Sequence, residues 1–422
     1  MHLKMGCGVF LLGWAITAWA QTDRLANSRF DPRMLQEPAI RAALEWVDAH
    51  RREHVEEWIR LTEIPAPSGR EARRAAYIKA EMERMGLDSV HIDAAGNVVG
   101  ILRGRSRHPA IAIAAHMDTV HPLEEIRVRQ EGDTLYAPGV LDDTGGLVVM
   151  LQAARALRAA RVPLAGDVIF IATVQEEVGL KGMAHWLEHN PRRADMVIAV
   201  DGNLGDVPYG ALGIRWFRFH YRAYGAHTMQ SLGRPNPNRA VARAIEDIYR
   251  LPLPHPSGTF VIYNIGVIGG GTVPNAVSQH SFFTVDLRSP SARLLAEYAD
   301  SILARARRAA ERERVRFEVE ILNDTPAGGT EEELADRREH PLVQTAVHIL
   351  NHLGVGQQLG RPVRPLASGS TDANMAVARG IPAIAFGRGF GRDQHTLQEA
   401  AHIPSAFLAT RGLILLIASL LR

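Results

Sequence analysis

The sequence is nearly without cysteine, almost without lysine, and without a surplus of charge. Its 422 residues hold one cysteine, Cys7. Beyond that leader position no disulfide, thiol nucleophile or thiolate metal ligand is available, so stability must come from packed cores. Lysine occurs only at Lys4, Lys79 and Lys181, and arginine carries nearly all the positive charge. Acidic and basic residues are interspersed and sum to +2, which leaves no basic stripe of the kind that binds nucleic acid. No internal repeat or low-complexity tract is present. What remains is a chain of ordinary hydrophobic content, 46%, longer than one compact core usually holds, which predicts more than one domain.

The first residues form a leader. Lys4 precedes an unbroken apolar stretch from Met5 to Ala20, which ends in Ala18-Trp19-Ala20 before Gln21. A charged start, an apolar run and a small-x-small site predict a secretory signal peptide cut after Ala20, and a secreted or periplasmic protein. The competing reading is a retained membrane anchor, because the stretch is only slightly shorter than a spanning helix. Leu413 to Leu421 is also apolar, but at that length it reads as a buried helix.

Apolar runs and their punctuation then predict the elements. Ala39 to Leu61 reads as one amphipathic helix and Glu71 to Met85 as a second. Strands are expected at Val98 to Leu102, Ala110 to Ala115, Asp167 to Thr173 and Met196 to Val200, with helices at Gly145 to Ala160 and Leu180 to His189 between them. Strands that alternate with helices argue an α/β fold with a mostly parallel sheet covered on both faces. From Phe217 the pattern changes to alternating, half-exposed strands. The order there is βαββαβ: a strand at Phe217, a helix over Asn238 to Leu251, strands Thr259 to Ile268 and Ala276 to Leu287, a helix from Ala292, and a last strand through Val315 to Ile321. This is the split arrangement of a ferredoxin-like α+β domain inserted into the first. The α/β pattern resumes at Pro341. The expected organisation is a leader over 1–20, a catalytic domain over 21–212 and 326–422, and an inserted domain over 213–325.

Six residues that can bind a metal or move a proton fall where apolar runs end: His116, Asp142, Glu176, Glu177, Asp201 and His395. Ligands of open α/β sheets sit beyond the carboxyl ends of the strands, where these side chains should gather. His116 and Asp118 are two apart at a strand end, so both point the same way, and Asp118 is placed to orient the imidazole. Asp142 and Asp143 are adjacent, and either could be the ligand while the other caps the following helix. The pair Glu176-Glu177 follows an apolar strand; a nearby dication would relieve its repulsion, one carboxylate binding metal while the other takes a proton from water. With only nitrogen and oxygen donors, zinc, manganese or cobalt would fit.

His116-Met117-Asp118, Gly139 to Gly146, Glu176-Glu177, Asp201 and His395 together resemble the co-catalytic zinc exopeptidase family of aminoacylase, glutamate carboxypeptidase and peptidase T. The resemblance spans essentially the whole chain after the leader, and Gly369 to Asn374 looks closest to the peptidase T-like branch. It implies that His116 and Asp201 hold one zinc ion, Glu177 and His395 the other, and that Asp142 bridges them. It further implies Glu176 as general base and Asp118 as orienting acid. The inserted domain resembles the family's lid and dimerisation domain, which implies a homodimer. There His227 matches a histidine that polarises the scissile carbonyl, often from the partner subunit, while Asn275 and Arg288 match residues that hold substrate. Gln175 departs from the family where an acid is common, and Thr228 where serine is usual.

The expected activity is metal-dependent hydrolysis of short peptides. An N-acyl amino acid deacylase using the same site is the alternative. A catalytically silent peptide-binding protein is a third class, but it would require a lost ligand or base, and none is lost.

Overall fold

The computed structural model describes residues 25–253 and 260–422; the leader lies outside the described residues. Eleven strands matter to the site: β1 (Asp88–Ile92), β2 (Val98–Leu102), β3 (Ile111–His116), β4 (Val168–Thr173), β5 (Met196–Ala199), β6 (Gly213–Arg222), β7 (Ile262–Asn264), β8 (Ile268–Gly270), β9 (His280–Ser289), β10 (Arg316–Thr325) and β11 (Ala383–Ala385). The central sheet runs β1-β2-β4-β3-β5-β11. Strands β4, β3, β5 and β11 are mutually parallel, and β1 and β2 form an antiparallel edge. The four parallel strands are buried throughout, as a sheet covered on both faces requires.

One face of this sheet is covered by the helices Pro38–Ala49, Thr144–Ala159, Pro341–His352 and Ile403–Leu420, which share the largest apolar core. The last of these is long and apolar enough to cross a membrane, yet 83% of it is buried inside the molecule. It is a core helix, and the buried apolar run expected at 413–421 forms its second half. Helix Lys181–His189 and the segment around Ala373–Val377 cover the opposite face.

The first helical stretch differs from expectation. It is two helices, Pro38–Ala49 and Arg51–Thr62, because His50 leaves the helical region (φ −109°, ψ 27°) and its ring lies 2.8 Å from the carbonyl of Trp46. The break lets the second helix turn and place Trp58 in the core, where its indole donates to the carbonyl of Val140 at 2.6 Å.

Residues 213–325 build a second antiparallel sheet, β7-β9-β6-β10, with β8 also paired to β9. In chain order that is 2-3-1-4, the ferredoxin-like arrangement. Its helices Pro237–Tyr249 and Ala292–Glu313 pack on one face, over a separate core of Phe217, Phe219, Tyr221 and Phe283. The single strand expected near 259–268 is two short ones, and β9 begins at His280 because Ser278 turns back, its hydroxyl donating to the carbonyl of His280 at 2.8 Å.

Leu415 is fully buried in the C-terminal helix. Replacement by alanine should cost about 2 to 5 kcal/mol in a denaturant titration, and a loss below about 1 kcal/mol would mean the helix is not packed as described.

Candidate metal centre

Each candidate ligand sits just beyond the carboxyl end of a parallel strand or at the start of a helix laid across that edge. His116 ends β3; Glu176 and Glu177 follow β4; Asp201 follows β5; His395 lies on the loop after β11; Asp142 precedes helix Thr144–Ala159. Because parallel strands share a direction, segments far apart in the chain converge there. His395 is held at φ 61° and Gln175, just before Glu176, at φ 53°. Both are left-handed conformations that non-glycine residues avoid unless their surroundings impose them.

The side chains meet in two overlapping groups. His116, Asp142, Asp143 and Asp201 form one, and Asp142, Glu177 and His395 the other. Asp142 belongs to both, with Oδ1 3.1 Å from His116 Nε2 and Oδ2 3.2 Å from His395 Nε2. Asp143 is otherwise engaged: its carboxylate accepts from the backbone N–H of His116 at 3.0 Å and of Gly146 at 3.1 Å, the second bond capping the helix. The neighbouring acids are thus separated by geometry, Asp142 facing both histidines and Asp143 facing the backbone.

Asp118 also has more than one contact. Its Oδ1 accepts from the N–H of Glu176 at 2.9 Å, and its Oδ2 accepts from the Ser68 hydroxyl at 2.6 Å and the N–H of Glu177 at 3.2 Å. The nearest partner of His116 Nδ1 is the Asp118 carbonyl at 3.0 Å, with the carboxylate at 3.5 Å. Asp118 therefore orients the imidazole mainly through its main chain, while its carboxylate braces the glutamate pair.

Electrostatics follow from burial and crowding. Burial, reinforced by Asp201, Asp372 and Glu177, pushes the Glu176 carboxyl well above the usual range. Burial also raises Asp372, to about 7. Asp142 is pulled well down despite its burial, because Arg388 and both histidines favour its charge. The carboxylates of Asp142 and Glu177, 3.2 and 3.1 Å from its Nε2, raise His395 to about 10. A divalent ion would be the largest local charge and would reset this balance. The donor set fits two such ions: all ligands are imidazole or carboxylate, Asp142 is shared, and Glu177 Oε1 is buried without a hydrogen-bond donor, 3.1 Å from His395 Nε2.

A cavity of about 630 Å³ opens over the cluster. Its far wall comes from the second sheet, through Ile214, Trp216 and Arg288. Arg288 is paired there with Asp286, Nη2 to Oδ2 at 3.0 Å. His227 and Asn275 are exposed and lie outside this lining, next to each other, with the N–H of Thr228 donating to the Asn275 carbonyl at 3.0 Å. Of the three candidate substrate residues, the chain brings only Arg288 to its own cluster.

Two residues of the centre escape a reading by strand ends. Glu399 is 1% exposed, and its carboxylate accepts the backbone N–H groups of Gly139, Leu141 and Asp142 at 2.9, 2.8 and 2.7 Å, which fixes the turn that presents Asp142. Arg388, also 1% exposed, contacts Asp142, Asp143 and Asp201. Its only signal in the sequence is an arginine between two glycines, Gly387 and Gly389, just after an apolar strand.

Known proteins resemble this chain in sequence and in fold. The model of peptidase family M20/M25/M40 matches residues 112–419. An assigned LysW-lysine/LysW-ornithine hydrolase of Pyrococcus abyssi is 29% identical over 340 residues, 80% of this chain and 86% of the relative. A succinyl-diaminopimelate desuccinylase of Corynebacterium glutamicum is 24% identical over 348 residues, 81% of this chain and 89% of the relative. Among solved structures, the aminopeptidase PepT of Bacillus cereus superposes with a TM-score of 0.71 at 21% identity, over 88% of this chain and 99% of that one.

Glu399→Gln would set an amide N–H₂ against backbone donors. It should lower metal affinity by about 10- to 100-fold in a competition titration with a chromophoric chelator. Unchanged affinity would show that the Asp142 turn holds without it.

Proposed function

Because the chain belongs to peptidase family M20/M25/M40, we propose that this metallohydrolase removes residues from short peptides at a two-ion centre made by His116, Asp142, Glu177, Asp201 and His395. The observation that carries the reading is Asp142, whose two oxygens face two separate histidine-carboxylate groups. Divalent ions held there, zinc, manganese or cobalt by the chemistry of the donors, would supply Lewis acidity toward the scissile carbonyl and toward water.

The chain's own residues do the rest. Glu176 lines the same cavity, 8% exposed, within electrostatic reach of His116, Asp201 and Glu177. It takes a proton as water adds to the carbonyl carbon, and returns that proton to the leaving amine nitrogen as the C–N bond breaks, so the products are an acid and an amine. Arg288, on the opposite wall, suits a substrate carboxylate, since its fork can bind two oxygens once Asp286 yields. The cavity's size favours a short peptide. Deacylation of an N-acyl amino acid is the second reading, favoured by the likeness to a desuccinylase; it needs the same wall and the same base.

The exposed pair His227 and Asn275 supports a homodimer in which each chain lends these residues to the other's cavity. The leader over 1–20 supports export to the periplasm or beyond, with removal after Ala20.

Glu176→Gln should lower turnover by about 10²- to 10⁴-fold while elemental analysis finds its metal content unchanged; an active variant would remove Glu176 from the mechanism. On metal-replete protein, di- and tripeptides should be cleaved faster than N-acetyl amino acids, and the reverse order would favour the deacylase. Mixing His227→Ala with Glu176→Gln subunits should restore activity if His227 acts across the dimer. No recovery after demonstrated subunit exchange would place His227 in its own chain's site.

A further inference from the structure

Among the described residues, Arg388 is the cation whose guanidinium is paired with the candidate ligands Asp142 and Asp201. It follows β11 in the turn Gly387-Arg388-Gly389, and its backbone N–H donates to the carbonyl of Gly202 at 3.2 Å, which ties it next to Asp201. Its guanidinium contacts Asp201 and lies 3.4 Å from Asp143 Oδ1 and 3.3 Å from Asp142 Oδ2. A guanidinium does not give up its proton at any pH a protein survives, and at 1% exposure it cannot swing to solvent without unpacking the wall.

These contacts are unevenly placed. Asp143 and Asp201 belong only to the group around His116, Asp142 is common to both groups, and Arg388 has no contact with Glu177 or His395. The charge that offsets the acids of the His116 group thus opposes a second cation there and draws on the lone pairs an ion would use. The Glu177 and His395 group meets that opposition through one oxygen, Asp142 Oδ2, which lies 3.3 Å from Arg388 and 3.2 Å from His395, and neither Glu177 nor His395 is itself paired with Arg388.

We infer that Arg388 makes the two metal positions unequal, so that the ion among Asp142, Glu177 and His395 binds first and tightly, and the ion among His116, Asp142 and Asp201 binds later and more weakly. This rests on the two-ion reading above. The site is then a one-ion centre at low metal supply and becomes complete only when metal is plentiful.

The test is a titration of the chelator-stripped full-length protein with Co²⁺, followed by visible absorption and elemental analysis. The wild type should fill in two steps separated by at least about tenfold in free metal. Arg388→Met, similar in length but uncharged, should tighten the weaker step by about tenfold or more and move the tighter step by less than about threefold. An unchanged or weaker second step in that variant would overturn the role of Arg388. Two further variants keep Arg388 in place: Asp201→Asn should remove the weaker step and Glu177→Gln the tighter one, and the opposite assignment would overturn the inference. Wild-type protein that binds two ions equally contradicts this inference alone. Protein that binds no ion contradicts the two-ion reading as well.

Discussion

The constraint on which the rest of the structure depends is the mutual repulsion of carboxylates gathered at one buried sheet edge. Asp118, Asp142, Asp143, Glu176, Asp201 and Asp372 all lie there, and the four most buried are 0 to 8% exposed. An uncompensated charge in such a place costs several kcal/mol. The chain meets part of the cost by giving several of these acids a partner. Asp143 is consumed by backbone N–H groups, Asp118 by Ser68 and the backbone of the glutamate pair, and Asp372 by the Thr173 hydroxyl at 2.5 Å. Asp142, Glu177 and Asp201 keep lone pairs turned toward the histidines. That division between acids used up and acids left over is what makes the edge a site for dications.

Holding that arrangement demands rigidity, and the architecture supplies it. Parallel strands buried on both faces cannot slip by one residue without turning a ligand into the core. Gly146 shows how tight the junction is: a Cβ there would stand 2.1 Å from the carbonyl of Val200, so only glycine lets helix Thr144–Ala159 begin this close to the end of β5. The substrate side is handled differently. Arg288 sits on a separate sheet with its own core, so the wall that recognises substrate can be remodelled without disturbing the ligands.

Much of this was legible before any coordinates. An apolar run that stops at His116 or Asp201 identifies both a strand and the residue it delivers, because burial on two faces and parallel order force strand ends together. The ferredoxin-like segment was legible from its change to period-two alternation. Contacts between distant backbone and side chain were not. Glu399 serves a turn about 260 positions earlier in the chain, and no local pattern marks such a bond. Arg388 resembled an ordinary loop arginine, since its meaning comes from acids on three other segments. Which of Asp142 and Asp143 faces the histidines was open for the same reason, as adjacent side chains differ only by backbone direction. The break at His50 was hidden by an apolar period that continues through it.

The most direct measurement is anomalous diffraction at the zinc edge from crystals of zinc-loaded protein. The account predicts two peaks about 3.5 to 4 Å apart, one against His116 and Asp201, the other against Glu177 and His395, with Asp142 between them. A single peak under saturating zinc, or two peaks that do not share Asp142, would contradict it.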